Sequence, residues 1–544
     1  MVFDMSKLGK FTESNEGWDV VVVGAGHNSL IAAAYIASAG KKVLVLERNS
    51  YAGGGVVSME MAEPGYWSER HAALHFHILA NPLITNDELG LLSRYGLDYI
   101  PIEIPYAVVL ENDCLPFYQD RAKTQDCIAT YSKDDATSYG KFMDLAIQIT
   151  ELLVPAMYEP PREFSELIAG SPLASIITET AAMSSYALIK SWFKHDVVQL
   201  ALARFVSETQ LAHPLKPGTA LFCFILMGML EKWGTSVPRG GGSAFTGALI
   251  KCIREHGGDV RVDSEVTKIV VKDGKAIGVR TRAGDIKARE AVVGSIHPHL
   301  LDRFVDGLDQ ELVRAAKNTT HADYTGFVIH AALKEPIRMK AGPRADMAVM
   351  NTICAPSLKD MLDSYDDVDQ GKFPRNAHFG ASCLSAIDPS RAPVGKAVLH
   401  FFCMTKYDIK GGAKRWDEVK DEYAQEIFGQ LQRYTHNLTP ELISSYHVVT
   451  PLDHERDSPS FQHGDITALG QTFDQTSVNR PTPALAQYRV PGVKGLYLAG
   501  PFMHPGGGVW GGGRPVARRV LEDLGVDFDA KFVHVNERIP RPKM

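Results

Sequence analysis

Apolar positions along the chain fall into two periodicities, and their order predicts a mixed α/β architecture. Val20 to Val23 is an unbroken β-branched run, the signature of a strand buried on both faces of a parallel sheet. An Ala-rich helical stretch from Leu30 to Ala39 follows, stops at Gly40, and leads to a second apolar strand, Val43 to Leu46. Together these make one βαβ unit. In the middle of the chain a helix is expected over Ala244 to Glu255, then strands at Val260 to Val262, Val266 to Val271, Ala276 to Arg282 and Ile286 to Val293. Asp273-Gly274 and Ala283-Gly284-Asp285 mark turns, so this block reads as a small meander that returns to the parallel sheet at Ala291 to Gly294. Near the end, Gly495 to Gly500 predicts a short strand and Arg514 to Leu524 a helix. Leu145 to Thr209 is apolar at helical spacing, broken by Pro155, Pro160 and Pro161, and Ala220 to Leu230 adds an apolar helix.

Each junction in this pattern carries glycine, and the chemistry follows from that. Gly24 permits a tight turn after the first strand, and Gly26 lets backbone approach a pyrophosphate at the N-terminus of the next helix, with Ser29 in the third position. Glu47 lies 21 residues after Gly26, where a carboxylate reaches ribose hydroxyls and would repel a 2′-phosphate. A second cluster, Gly53-Gly54-Gly55, follows Arg48 and offers more backbone to a long cofactor, which favours FAD over NAD. At the far end Pro501, Gly506, Gly507, Gly508 and Val509 form a third glycine-rich turn that opens a helix, whose positive end would stabilise charge on a reduced flavin.

Composition narrows the class without changing this picture. The chain has 544 residues, 45% hydrophobic and 22% charged, an ordinary globular profile. A net charge of −7 and no dense Lys/Arg run argue against a nucleic-acid partner. Seven scattered cysteines fit neither a disulfide framework nor a zinc site, and are expected as free thiols in a reducing cytoplasm. Residues 1–17 lack the apolar core of a signal peptide, and Ala220 to Leu230 is short of the about 20 residues that span a bilayer. That run could line an apolar pocket or make peripheral membrane contact.

Three segments, VVVGAGHNSLIAAAYIASAGKKVLVLER, PRGGGSAFTGALIKCIREHGGDVRVDSEVTKI and LYLAGPFMHPGGGVWGGG, resemble the phytoene desaturase-like branch of the flavin amine oxidase superfamily. Within that branch the HPGGGV string, Gly464-Asp465-Ile466 and Arg480-Pro481 are closer to the carotenoid ketolase-type and pyridine nucleotide-disulfide oxidoreductase domain-containing proteins. The resemblance implies a Rossmann-type, glutathione reductase-like FAD domain, assembled discontinuously from residues 17–80, 236–300 and 485–530. It would be interwoven with an α+β substrate domain from 81–235 and 301–484. It implies that Gly24, Gly26, Glu47, Arg48, Gly53 and Gly54 hold adenosine and pyrophosphate, that Val266 meets the adenine through its backbone, and that Gly500 and the Gly506 to Val509 turn lie at the pyrophosphate and flavin ring. Ser29 for the third glycine, and a terminal turn one residue shorter than the family's, are departures.

The expected reaction is oxidation or desaturation of an apolar small molecule, with hydride transfer to FAD and reoxidation by oxygen or a quinone, since only one complete dinucleotide unit is visible. An amine or alcohol oxidase acting on a more polar substrate is the alternative, and a flavin-free carrier on the same fold the rival. Candidate side chains at the flavin are His75, His77, His504 and Trp510, with Tyr324, on a candidate strand, as a pocket wall. Glu69-Arg70-His71 with His75 and His77 matches no closed metal site, and no metal is expected.

Overall fold

The computed structural model describes residues 9–10, 17–354 and 357–533. The elements that position the site are β1 (Trp18–Val23), α1 (His27–Ser38), β2 (Val43–Leu46), α2 (Asp196–Gln210), α3 (Gly242–Glu255), β3 (Asp259–Val262), β4 (Gly284–Gly294), β5 (Leu496–Leu498) and α4 (Gly513–Asp523). All four residues of β2 and the last four of β1 are buried, as apolar strands covered on both faces must be.

The parallel part of the first sheet runs Gly9–Lys10, β3, β2, β1, β4, β5. Its register sets Val21 against Leu44 on one side and Val292 on the other, with Val293 beside Tyr497. Strands from the two ends and the middle of the sequence therefore become neighbours. β4 is one strand of 11 residues, longer than the expected Ile286 to Val293. Its first half pairs antiparallel with Lys275–Thr281 and its second half pairs parallel with β1, so a single strand joins the meander to the sheet.

Helix α1 starts three residues before the expected Leu30, because Gly26 is its N-cap and the polar His27, Asn28 and Ser29 are buried rather than solvated. It packs against both α3 and α4. Contact with α4 is closest at Gly513, where an added Cβ would stand 2.0 Å from the Asn28 carbonyl oxygen.

The second sheet has seven strands in the order Ile443–Val449, Thr325–Leu333, Ala397–Thr405, His378–Ser382, Met350–Cys354, Tyr106–Val109 and Cys114–Phe117. Every pair is antiparallel except Met350–Cys354 with Tyr106–Val109. Helices Lys133–Leu153, Ala174–Ala182, Ser185–Trp192, α2 and Ala220–Trp233 form a separate apolar cluster. The observed architecture is thus a Rossmann-like α/β unit joined to an α+β unit. Among the described residues, no helix is long and apolar enough to cross a membrane.

Candidate active site

A cleft of about 370 Å³ runs from the C-terminal ends of β1 and β2 to the second sheet. This is where open parallel sheets gather their ligands, because the helix N-termini and the loops after the strands converge there.

At its near end the chain leaves β1 at Gly24, whose φ of +85° would strain any other residue. Gly24 N–H donates to the Leu46 carbonyl at 2.7 Å. Gly53 runs alongside, donating to Ala25 O at 2.7 Å and accepting from His27 N–H at 3.2 Å. An added Cβ on Gly54 would lie 2.9 Å from Gly26 Cα, so these backbones approach as closely as bare glycine permits. Gly26 is different: a Cβ there would meet no protein atom within 4 Å, and the space beside it belongs to the cleft. No side chain caps α1. The His27 amide is taken by Gly53, whereas the Asn28 and Ser29 amides that follow find no acceptor among the described residues, leaving them to a ligand. His27 Nε2, Asn28 Oδ1 and Ser29 Oγ are buried at the same spot without a hydrogen-bond partner.

Glu47, at the end of β2, is buried and fixed by two backbone amides, Ala25 N–H to Oε2 at 2.8 Å and Asn49 N–H to Oε1 at 2.9 Å. Burial pushes its pKa up, against the lowering effect of those two amides. Each oxygen has acceptor capacity beyond its one amide, and Glu47 lines the cleft, which suits a carboxylate that accepts ribose hydroxyls. Val266 and Glu265 close this end. Arg48 turns outward, donating from Nη2 to the carbonyls of Arg456 and Asp457 at 3.1 Å each. Arg70 is ion-paired with Asp457. Two arginines thus fasten the 457–461 loop along the cleft.

The donors and the space at this end fit a dinucleotide: unpaired amides and an open glycine for a pyrophosphate, and an oriented carboxylate for a ribose. The family of flavin containing amine oxidoreductases matches residues 188–521, and the NAD(P)-binding Rossmann-like domain matches residues 22–85. The chain belongs to the flavin containing amine oxidoreductase family. It is an oxidoreductase, and FAD is its cofactor. Among its relatives, pyridine nucleotide-disulfide oxidoreductase domain-containing protein 2 of Rattus norvegicus is 28% identical over 93% of this chain and 94% of the relative. A limonene dehydrogenase polypeptide of Castellaniella defragrans is 25% identical over 94% and 95%. Lycopene-forming phytoene desaturase of Pseudescherichia vulneris is 23% identical over 93% and 99%. The solved structure of cyclohexylamine oxidase from Brevibacterium oxydans IH-35A superposes with a TM-score of 0.57 at 15% identity, covering 94% of this chain and all of that one, and shows the shared fold.

In this flavin containing amine oxidoreductase the cleft is lined by Gly24, Gly26, Ser29, Glu47, Arg48, Gly54, Gly55, Val266, Gly500, Pro501, Gly508 and Val509. Gly53, Gly506 and Gly507 stand behind that wall. Gly507 is pressed against Thr467, whose Cβ would be 2.5 Å from an added methyl, and Gly506 faces the buried Arg480 guanidinium.

None of the five candidate side chains, His75, His77, His504, Trp510 and Tyr324, is among the lining residues. His504 is buried with Nε2 3.2 Å from the Ala156 carbonyl, and burial lowers its pKa to about 4. Trp510 stacks on His77 with ring centres 4.1 Å apart, inside the helical core. Nδ1 of His75 meets the Tyr99 hydroxyl at 2.8 Å. Tyr324 precedes the strand Thr325–Leu333 instead of lying on it, and lines two smaller cavities beside Lys406 and Asp323. His27, Arg70, His71, Glu208, Phe402 and Ile466 do line the cleft and were not expected there from the sequence. For His27 a signal existed, its place inside the Gly24 to Ser29 turn. Glu208 and Phe402 had none, because only the tertiary fold brings α2 and the second sheet to the first.

Proposed function

We propose that the protein oxidises or desaturates an apolar small molecule, two hydrogens leaving the substrate, one as hydride to FAD and one as a proton. The observation that carries this reading is the continuity of the glycine cradle with an apolar chamber walled by Leu211, Phe402, Phe461 and Ile466. Bound FAD supplies the two-electron acceptor. The amides at the start of α1 and the Glu47 carboxylate hold its adenosine diphosphate end, which leaves the Gly508-Val509 turn and the chamber for the reacting end. Phe402, Ile466 and Leu211 exclude water and give the substrate apolar surface to bury. The names of two relatives, a limonene dehydrogenase and a phytoene desaturase, agree with a hydrocarbon-like substrate.

Reoxidation by oxygen or a quinone completes the cycle. One glycine-rich βαβ unit ending in an acidic residue is present among the described residues, and it is committed to FAD. The test is anaerobic bleaching of the flavin absorption by a panel of apolar alcohols, amines, cyclic ketones and polyenes. Bleaching by the least polar members supports the reading; bleaching by none of them refutes it, and fast bleaching by NADPH refutes the acceptor assignment.

A further inference from the structure

The chamber has polar groups among its apolar walls, His71 and Thr209 included, and one of them is a buried carboxylate beside Phe402 and Leu211. Glu208, near the end of α2, lines it with its carboxylate more than nine-tenths buried. Oε2 accepts from Arg204 Nη2 and from the Thr352 hydroxyl, both at 3.1 Å. Among the described residues no donor reaches Oε1. That oxygen lies beside Gly380 on the strand His378–Ser382, where an added Cβ would come within 3.1 Å of it. The nearby apolar wall is Phe402 and Leu211.

Arg204 decides what Oε1 can accept. Its guanidinium is fully buried and spans Glu208, the Tyr365 hydroxyl at 3.0 Å and His378 Nε2 at 3.3 Å. Burial, then the Arg204 charge, keeps His378 neutral by driving its pKa well below the usual value. Burial pushes the Glu208 pKa up while the Arg204 charge and the Thr352 hydrogen bond pull it down, and with the guanidinium 3.1 Å away the ion pair sums to zero charge. A carboxylate ligand would be repelled by Glu208, and an ammonium would leave a buried net positive charge with no partner of its own. A neutral hydroxyl donates one hydrogen bond to a charged acceptor and leaves the balance intact.

We infer that Glu208 is a specificity-determining residue whose free oxygen anchors a single hydroxyl on an otherwise apolar substrate. The inference rests on the apolar-substrate reading above and deepens it. The anchor holds one end of the molecule in the second unit, so that its apolar body spans the chamber toward the Gly508-Val509 turn.

The test is calorimetric titration of the FAD-loaded protein, without oxygen, with 1-octanol, its isomer methyl heptyl ether and octylamine. Octanol is expected to bind at least about tenfold more tightly than the ether, the size of one charge-assisted hydrogen bond, and octylamine no better than the ether. In Glu208→Gln the two donors on Arg204 and Thr352 hold the amide oxygen, which turns the NH2 toward the chamber. The ether, an acceptor only, then binds as well as the alcohol. Gly380→Ala presses a methyl on Oε1 without touching the charge pair, and should erase the alcohol preference if Glu208→Gln does not fold. Equal binding of octanol and ether to the unaltered protein overturns the anchor alone. Binding of neither overturns it together with the apolar-substrate reading. Loss of FAD from Glu208→Gln overturns it too, because the cofactor would then be the donor.

Discussion

Gly26→Ala separates a glycine kept for a ligand from one kept for packing. Gly26 has φ −64° and ψ 156°, a conformation that alanine adopts freely, and its added methyl would find no protein atom within 4 Å. The cofactor-free protein should therefore be unchanged or more stable by about 0.4–1 kcal/mol, the usual gain when alanine restricts the unfolded chain. The methyl instead occupies the space beside the α1 amides. Displacing a pyrophosphate there breaks at least two charge-assisted hydrogen bonds of about 1.5–3 kcal/mol each, which weakens FAD more than about a hundredfold. Gly54→Ala is the contrast, because its φ of +60° and a Cβ 2.9 Å from Gly26 Cα make it strained before any ligand arrives. Differential scanning fluorimetry of the cofactor-free variants, with FAD affinity from flavin fluorescence, measures both terms. Should Gly26→Ala melt lower without FAD, or keep FAD as tightly, the assignment of that space to a pyrophosphate is refuted.

Glu47→Gln places an NH2 where one of two backbone N–H groups now donates, so FAD affinity should fall and the cofactor-free protein lose about 1–3 kcal/mol; unchanged values in both assays would contradict the role given to this carboxylate. Gly513→Ala drives a methyl into the Asn28 carbonyl and should cost about 1–3 kcal/mol of stability with or without FAD, as overpacking at a helix contact does. His27, His400, His454 and His504 are buried with pKa values lowered to about 4, against about 6.5 in the unfolded chain, so the unfolded state binds more protons between those limits. Stability should thus fall as pH drops through this window, by about 2 kcal/mol per histidine at pH 5 relative to pH 7.5, and a urea midpoint that stays constant or rises on acidification would be inconsistent with their burial.

The β1, α1, β2 and Glu47 unit was legible because every part of it is local: an apolar run, a glycine turn, a helix and a carboxylate at fixed spacing. The early start of α1 was not, since His27, Asn28 and Ser29 are polar by type and buried only because the cleft and α4 cover them. β4 was seen as a strand, and the return of its end to the parallel sheet at Ala291 to Gly294 was legible too; what was not is that meander and sheet share one unbroken strand starting at Gly284. Arg204 and Glu208 show the same limit at the site. At i and i+4 on a helix they read as an ordinary surface ion pair, and only the packing of α2 against the second sheet makes them buried and functional. His504 and Trp510 show how little a turn alone says about where its side chains go. Their place in a glycine-rich turn pointed them at the flavin, whereas the turn directs the imidazole to the Ala156 carbonyl and the indole to His77.

The most direct test of the dinucleotide cradle is equilibrium titration of the cofactor-free protein with FAD and, separately, with FMN. FMN lacks the adenosine and half of the pyrophosphate, the parts assigned to Glu47 and the start of α1. One FAD per chain is predicted, with FMN at least about a hundredfold weaker, as expected for the loss of several charge-assisted hydrogen bonds. Equal affinity for the two flavins, or no uptake of FAD, would contradict the account.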